Sequence, residues 1–424
     1  MQRRFGRLTL AIALGAFPGA EAFGQTALTW AQVREKFEAV NPTLQSAQLN
    51  IDESRAAEIT AYLRPNPDFT LTADGFQPGP TGAVWRPLSG VYESPGISYL
   101  HERAHKRELR RDSARESTAI SESAYLDQER GLMFNLRNAF VQTLEAKAFL
   151  ENARENLDYW DKELAIFRQR FQAGDLAQVD LDRLELQRLP FESDYETALV
   201  NLRTAKIQLL TLLNDNRTPI EQFDVTGSYD FSNEVGPLAE FREMALETRP
   251  DLKEAIQNVE LARISHELAV ANGSTDPTFS AWFTNNGSFS NPAATRTIGG
   301  SISIPLRIFD RNQGEKARTQ IDIDRNERLR DAAEAQVFSD VDSAYWTIVQ
   351  TVNLLKPYKS KYLELAADTR NKVSFAYQHG GASLLDYLDA EKAYRDTRVA
   401  YLNLIGSYLV AAAQMNQAVG REVI

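Results

Sequence analysis

Hydrophobic and polar residues alternate with two different periods along this chain, and the change from one to the other divides it into elements. Leu132, Leu136, Phe140 and Leu144 recur at four-residue steps, and no proline occurs between Pro95 and Pro190. That pattern predicts one helix of roughly 70 residues ending before Gly174, about 105 Å long at ~1.5 Å per residue. A helix of this length is stable only against neighbours, so the pattern also predicts coiled-coil hairpins packed side by side. Shorter stretches alternate with a period of two, the signature of strands: Pro67 to Ala73, Gly96 to Leu100, Pro277 to Phe283, and Thr297 to Ile304. In the last of these, Ile298, Gly300, Ile302 and Ile304 share one face. Loops rich in Gly, Pro, Asn and Ser are expected at 75–95 and 285–296.

The elements come in the same order twice. Asn41-Pro42-Thr43-Leu44 opens a predicted helix running to about Leu63, and Arg249-Pro250-Asp251-Leu252 opens another running to about Ala271, each with proline where a first turn tolerates it. Phe171-Gln172-Ala173-Gly174 followed by Asp180 reappears 206 residues later as Tyr377-Gln378-His379-Gly380 followed by Asp386, and Tyr195 and Tyr401 keep that offset. A duplicated glycine turn between long helical patterns predicts two copies of one helical hairpin with tips at Gly174 and at Gly380-Gly381. The expected organisation is a first repeat over 23–225 and a second over 226–424, each helix, two strands and a hairpin, with tips near 174 and 380. Asn214 to Gly236 joins the halves, with a strand-like Phe223-Asp224-Val225 and an Asn214 suited to a left-handed helix end.

Composition narrows the function. With 47 basic against 58 acidic residues the net charge is −11 and no basic block stands out, which argues against a nucleic-acid partner. The absence of cysteine excludes disulfides, thiolate metal sites and a cysteine-linked lipid anchor. Arg3, Arg4 and Arg7 precede the apolar run Leu8 to Phe17, and Ala20-Glu21-Ala22 supplies small residues for cleavage, so residues 1–22 read as a signal peptide. The longest uncharged run, Leu402 to Gly420, is interrupted by Asn403, Ser407, Gln414, Asn416 and Gln417, and suits a packed amphipathic helix better than lipid. Four strands cannot close a barrel, an open edge is not viable in lipid, and closed membrane barrels need about eight strands. A spanning structure must therefore pool strands from several chains.

His101-Glu102-Arg103-Ala104-His105 matches the His-Glu-x-x-His pattern of zinc metalloproteases, with Glu122 available as a third ligand. That chemistry needs both imidazoles on one helical face, whereas this motif directly follows a strand, and the matching corner of the second half, Ile308 to Gly314, has no histidine. The alternative is a polar corner between strand and helix. His266 and His379 lack ligand-spaced partners, and no nucleophile elbow, phosphate loop or dinucleotide fingerprint occurs, so no cofactor is expected. Gly299-Gly300 inside a strand reads as easing a bend. Asp180, Asp386 and Asp389 lie just past the tips. Asp386 and Asp389 share a helical face and read either as caps or as part of an acidic ring around a symmetry axis, whose crowding would raise carboxylate pKa values.

The aromatic-x-x-Gly-x-x-x-x-x-Asp tip, its second copy ending in Leu388-Asp389-Ala390-Glu391, and the long Tyr- and Ala-rich C-terminal helix resemble the TolC family of outer-membrane efflux channels. The resemblance implies a mainly α protein with a small β part, in which long coiled-coil hairpins and four transmembrane strands per chain assemble as a homotrimer into an α/β barrel of twelve strands and a twelve-helix tunnel. It further implies a passive exit duct in the outer membrane of a Gram-negative bacterium, reaching into the periplasm to a periplasmic adaptor and an inner-membrane pump. Pro305 to Gly314 resembles the form found with heavy-metal resistance-nodulation-division pumps. Asp180, Tyr377, Asp386 and Asp389 then fall at the periplasmic entrance, with Asp180 bonded to Tyr377. Where some relatives carry an arginine that locks the entrance, this chain has Ala382. The rival readings are a secreted zinc metalloprotease and a periplasmic coiled-coil adaptor; the latter would need a lipoyl-like β segment between its helices, where this chain has glycine tips.

Overall fold

The computed structural model describes residues 27–80, 85–88, 90–286 and 295–424, so the expected signal peptide and the middle of the second strand loop lie outside the described residues. The first half runs α1 (Trp30–Val40), α2 (Pro42–Ala61), β1 (Asp68–Asp74), β2 (Tyr92–Leu100), α3 (Lys106–Gln172), α4 (Gln178–Leu186) and α5 (Arg188–Leu212). The second runs α6 (Leu238–Thr248), α7 (Pro250–Asn272), β3 (Thr278–Asn286), β4 (Arg296–Ser303), α8 (Gln313–Pro357), a π-helical turn (Tyr358–Tyr362), α9 (Leu363–Gln378) and α10 (Leu384–Val419). Helix α3 alone has 67 residues, about 100 Å at ~1.5 Å per residue. It packs along α2, α5, α7 and α10, which supply the neighbours that so long a helix needs.

The short helices show how the same plan is executed with different residues. Asn41 caps α2 by accepting from the backbone N–H groups of Thr43 and Leu44. Its counterpart before α7 is the buried Arg249, whose guanidinium donates to Asp251, to Asp340 and to the carbonyl of Ala418. Each half has its own core. One gathers Val33, Phe37, Leu44, Leu136, Phe140, Leu209 and Phe223. The other gathers Phe241, Ala245, Leu252, Val341, Ile348, Ile405 and Met415. The linker joins the first core directly, since Val225 forms a parallel bridge with Leu28.

The strands form one antiparallel sheet in the order β1-β2-β3-β4, leaving β1 and β4 as unpaired edges. Pairing Phe69 with Ile97, Phe279 with Ile302 and Phe283 with Ile298 puts apolar residues on one face. Phe69, Leu71, Ile97, Ile298 and Ile302 there are 55–85% exposed. The alternate positions, Thr70, Thr72, Ser94, Ser98, Ser280, Thr284, Thr297 and Ser301, make a second face rich in hydroxyls, interrupted by Trp282, on which Ser94 and Thr284 share a hydrogen bond of 3.1 Å. Strand β2 begins at Tyr92, inside the stretch expected as loop. Its pairing with β3 lapses at Ser94 and Pro95, where proline has no N–H to donate. No described helix is long and apolar enough to cross a membrane.

Candidate functional site

Both glycine tips close by the same backbone device. In the first, Gly174 takes φ +85°, its N–H donates to the carbonyl of Phe171, and Asp175 N–H reaches back to Arg170 at 2.9 Å. In the second, Gly380 takes φ +76°, its N–H donates to Tyr377, and Gly381 N–H reaches back to Ala376 at 2.7 Å. This six-to-one bond with glycine in the left-handed region is a Schellman closure, and a side chain at either glycine would strain it.

The two helices leaving the tips start differently. Ser383 and Asp386 form a full capping box at α10: Ser383 Oγ accepts from Asp386 N–H, while the Asp386 carboxylate accepts from Ser383 N–H at 3.0 Å and from its hydroxyl at 2.6 Å. Those Ser383 bonds hold the Asp386 carboxyl below the usual range in the single chain, opposite to the rise expected of a crowded ring. At the matching start of α4, Ala177 offers no side-chain cap. Asp180 lies 3.9 Å from Arg183, and Asp389 is exposed without a partner among the described residues.

The expected bond between Asp180 and Tyr377 does not form. The Tyr377 hydroxyl is buried without a hydrogen-bond partner, and its pKa is raised by burial and then by the nearby charge of Asp180. What holds Tyr377 is its ring, stacked on Tyr387 at 5.3 Å and met edge-on by Phe167 at 5.8 Å. Packing therefore replaces polar bonding here. The stack continues from Tyr387 to Trp160 at 6.1 Å and from Trp160 to Phe191 at 5.1 Å, joining both hairpins into one small core behind the tips.

Beside this core lies a group that no sequence argument singled out. Glu163 of α3 and Glu391 of α10 are buried, at 9% and 7% exposure. Tyr159 donates its hydroxyl to Glu391 at 3.0 Å, and Tyr387 makes a longer contact of 3.5 Å with Glu163. The available signal was an acidic residue in apolar register: Leu384, Tyr387 and Glu391 stand at helical positions i, i+3 and i+7, on the side of α10 that faces the core.

At the opposite end, His101-Glu102-x-x-His105 is not helical. Ala104 and His105 both have positive φ, 57° and 56°, and α3 begins only at Lys106. His105 is the left-handed residue before the helix, the place that Asn312, at φ 61°, occupies before α8. Glu102 is a bidentate partner of Arg110, at 2.5 and 2.8 Å, rather than a base between two imidazoles. Lys106 reaches Asp276 at 2.5 Å and ties the two halves together at this corner. The zinc-protease reading lacks the helical face it requires. His266 and His379 are structural, bonding Thr319 and the carbonyl of Phe375.

Known proteins agree with this architecture. The sequence profile of the outer membrane efflux protein family matches residues 241–421. The cobalt-zinc-cadmium resistance protein CzcC of Cupriavidus metallidurans is 23% identical over 400 residues, spanning 90% of this chain and 87% of that protein. The solved structure of CusC superposes with a TM-score of 0.77 at 19% identity, covering 92% of each chain. The outer-membrane channel OprN gives 0.76 at 17% identity, over 92% of this chain and 89% of that one. With its doubled hairpins and four-stranded sheet the chain shares the fold of CusC and OprN, and its residues 241–421 match the outer membrane efflux protein family.

Proposed function

We propose that three copies of this chain form a channel in the outer membrane of a Gram-negative bacterium, the passive exit duct of a tripartite efflux system. One observation carries the reading: a sheet with an exposed apolar face, a face rich in hydroxyls and two unpaired edges stands at one end of a helix about 100 Å long. The apolar face suits lipid and the Ser/Thr face suits water. Edges β1 and β4 are satisfied in a bilayer only by other copies, since unpaired backbone groups are not tolerated there. Three such sheets make a closed twelve-stranded barrel, and the hairpins extend it into the periplasm as a tunnel. Energy comes from an inner-membrane pump of the resistance-nodulation-division type, through a periplasmic adaptor. The likeness to CzcC favours metal ions as cargo.

Asp180, Tyr377, Asp386 and Asp389 are assigned to the periplasmic entrance, with Gly174, Gly380 and Gly381 shaping the tips. The expected result is a protein that needs detergent for extraction, migrates as a trimer and conducts ions in planar bilayers. Multivalent cations added on the periplasmic side should lower that conductance, and Asp386→Asn with Asp389→Asn should weaken the block. Unchanged block in the double variant would return Asp386 to helix capping and leave Asp389 a solvated surface charge; monomers that dissolve without detergent would overturn the channel itself.

A further inference from the structure

We propose that Glu163 and Glu391, buried with Tyr159 and Tyr387 where α3, α9 and α10 meet behind the tips, form a pH-responsive latch that packs the two hairpin tips together when protonated and loosens them when ionised. The geometry sets this up. Neither carboxylate has an ion-pair partner among the described residues, although both lie within reach of Arg370 on α9. The Arg370 guanidinium is engaged elsewhere, lying over the rings of Tyr394 at 4.0 Å and Tyr159 at 4.7 Å and donating to Asn371. From α10, Arg395 also faces Glu391, but it lies over the ring of Phe191 at 5.0 Å and within 3.8 Å of Asp194 of α5. The phenols of Tyr159 and Tyr387 also face the pair. A buried carboxylate without a paired cation is held in its neutral form.

Burial, reinforced by the neighbouring Glu163 and opposed by Arg370, Tyr159 and Arg395, pushes the Glu391 carboxyl up to about 7 from 4.5. Burial also raises Glu163. The packed tip therefore binds the proton more tightly than a solvated tip does. That advantage is complete below the solvent value and is lost as pH rises through about 7. The ratio of loosened to packed tips should then rise about tenfold per chain between pH 6 and 8. Trp160 reports the event, because its ring is fully buried and stacked between Phe191 and Tyr387.

The latch deepens the channel reading and rests on it only for its effect on conductance, so the test reads packing and conductance separately. The intact trimer, labelled with 5-fluorotryptophan and held in lipid, would be titrated by fluorine NMR, with Trp160→Phe assigning the resonance; the open fraction would be recorded in bilayers over the same range. The expected result is a Trp160 shift with a midpoint near neutral pH. It should disappear in Glu391→Gln, move to lower pH in Glu163→Gln, and move to higher pH in Tyr159→Phe, which removes a bond to the charged form. The open fraction should rise over the same pH range. A Trp160 signal that stays constant from pH 6 to 8, or that titrates unchanged in Glu391→Gln, would overturn the latch. A titrating Trp160 in a protein that conducts at no pH supports the latch and removes the channel reading.

Discussion

At the scale of single residues, Gly299 illustrates why a pattern can be right while its reason is hidden. A glycine pair inside a strand reads as relief for a bend, but Gly299 is needed because the indole of Trp282 lies across it: a Cβ there would stand 2.5 Å from the ring. Gly300 has no such neighbour, with 3.4 Å to the Ser280 carbonyl oxygen. Gly299→Ala should lower the thermal midpoint of the assembled protein by an amount corresponding to about 1–3 kcal/mol of overpacking. Trp282→Leu in the same chain should recover most of it, and equal losses in both variants would show that the ring is not the obstacle. Tyr377 carries the reverse lesson. The family resemblance implied a bond from it to Asp180, yet its partner proved to be the ring of Tyr387, because a hydroxyl buried behind the tip has no carboxylate within bonding distance.

At the scale of elements, the two halves break their helices at different places, and proline accounts for it. Pro357 sits at the end of α8, and the π-helical turn that follows absorbs its missing N–H, so the second half has α8 and α9 where the first has an unbroken α3. Pro190 lies in the first turn of α5, just past the break at Gln187, whereas α10 continues without interruption to Val419. The long helices, the tips and the order of strands were legible because periodicity and the doubled glycine turn are local signals. The start of β2 was not, because Pro95 reads as a loop residue, and strand pairing tolerates it only where the ladder to β3 lapses. The same asymmetry reaches the caps. Ser383→Ala should destabilise the second tip by about 1 kcal/mol and Ala177→Ser should stabilise the first by a similar or smaller amount. Urea unfolding would check both, and a stabilising Ser383→Ala would contradict the capping box.

At the scale of the whole molecule, the sheet is incomplete within a single chain. The sheet ends on two open edges, and the carboxylate of Asp389 faces solvent with no partner among the described residues. The number of strands already pointed to a pooled barrel; the buried carboxylates behind the tips were not legible, because an acidic residue in apolar register signals only once its neighbours are known. The central claim is that β1 of one copy pairs with β4 of the next. Because the chain has no cysteine, a pair introduced at Thr70 of β1 and at Ser301 of β4, with neighbouring positions scanned for register, reads that pairing directly. After mild oxidation in lipid and separation under denaturing, non-reducing conditions, closure predicts covalent products that end at the trimer. Products that stop at the dimer, or chains that remain monomeric at every register, would contradict it.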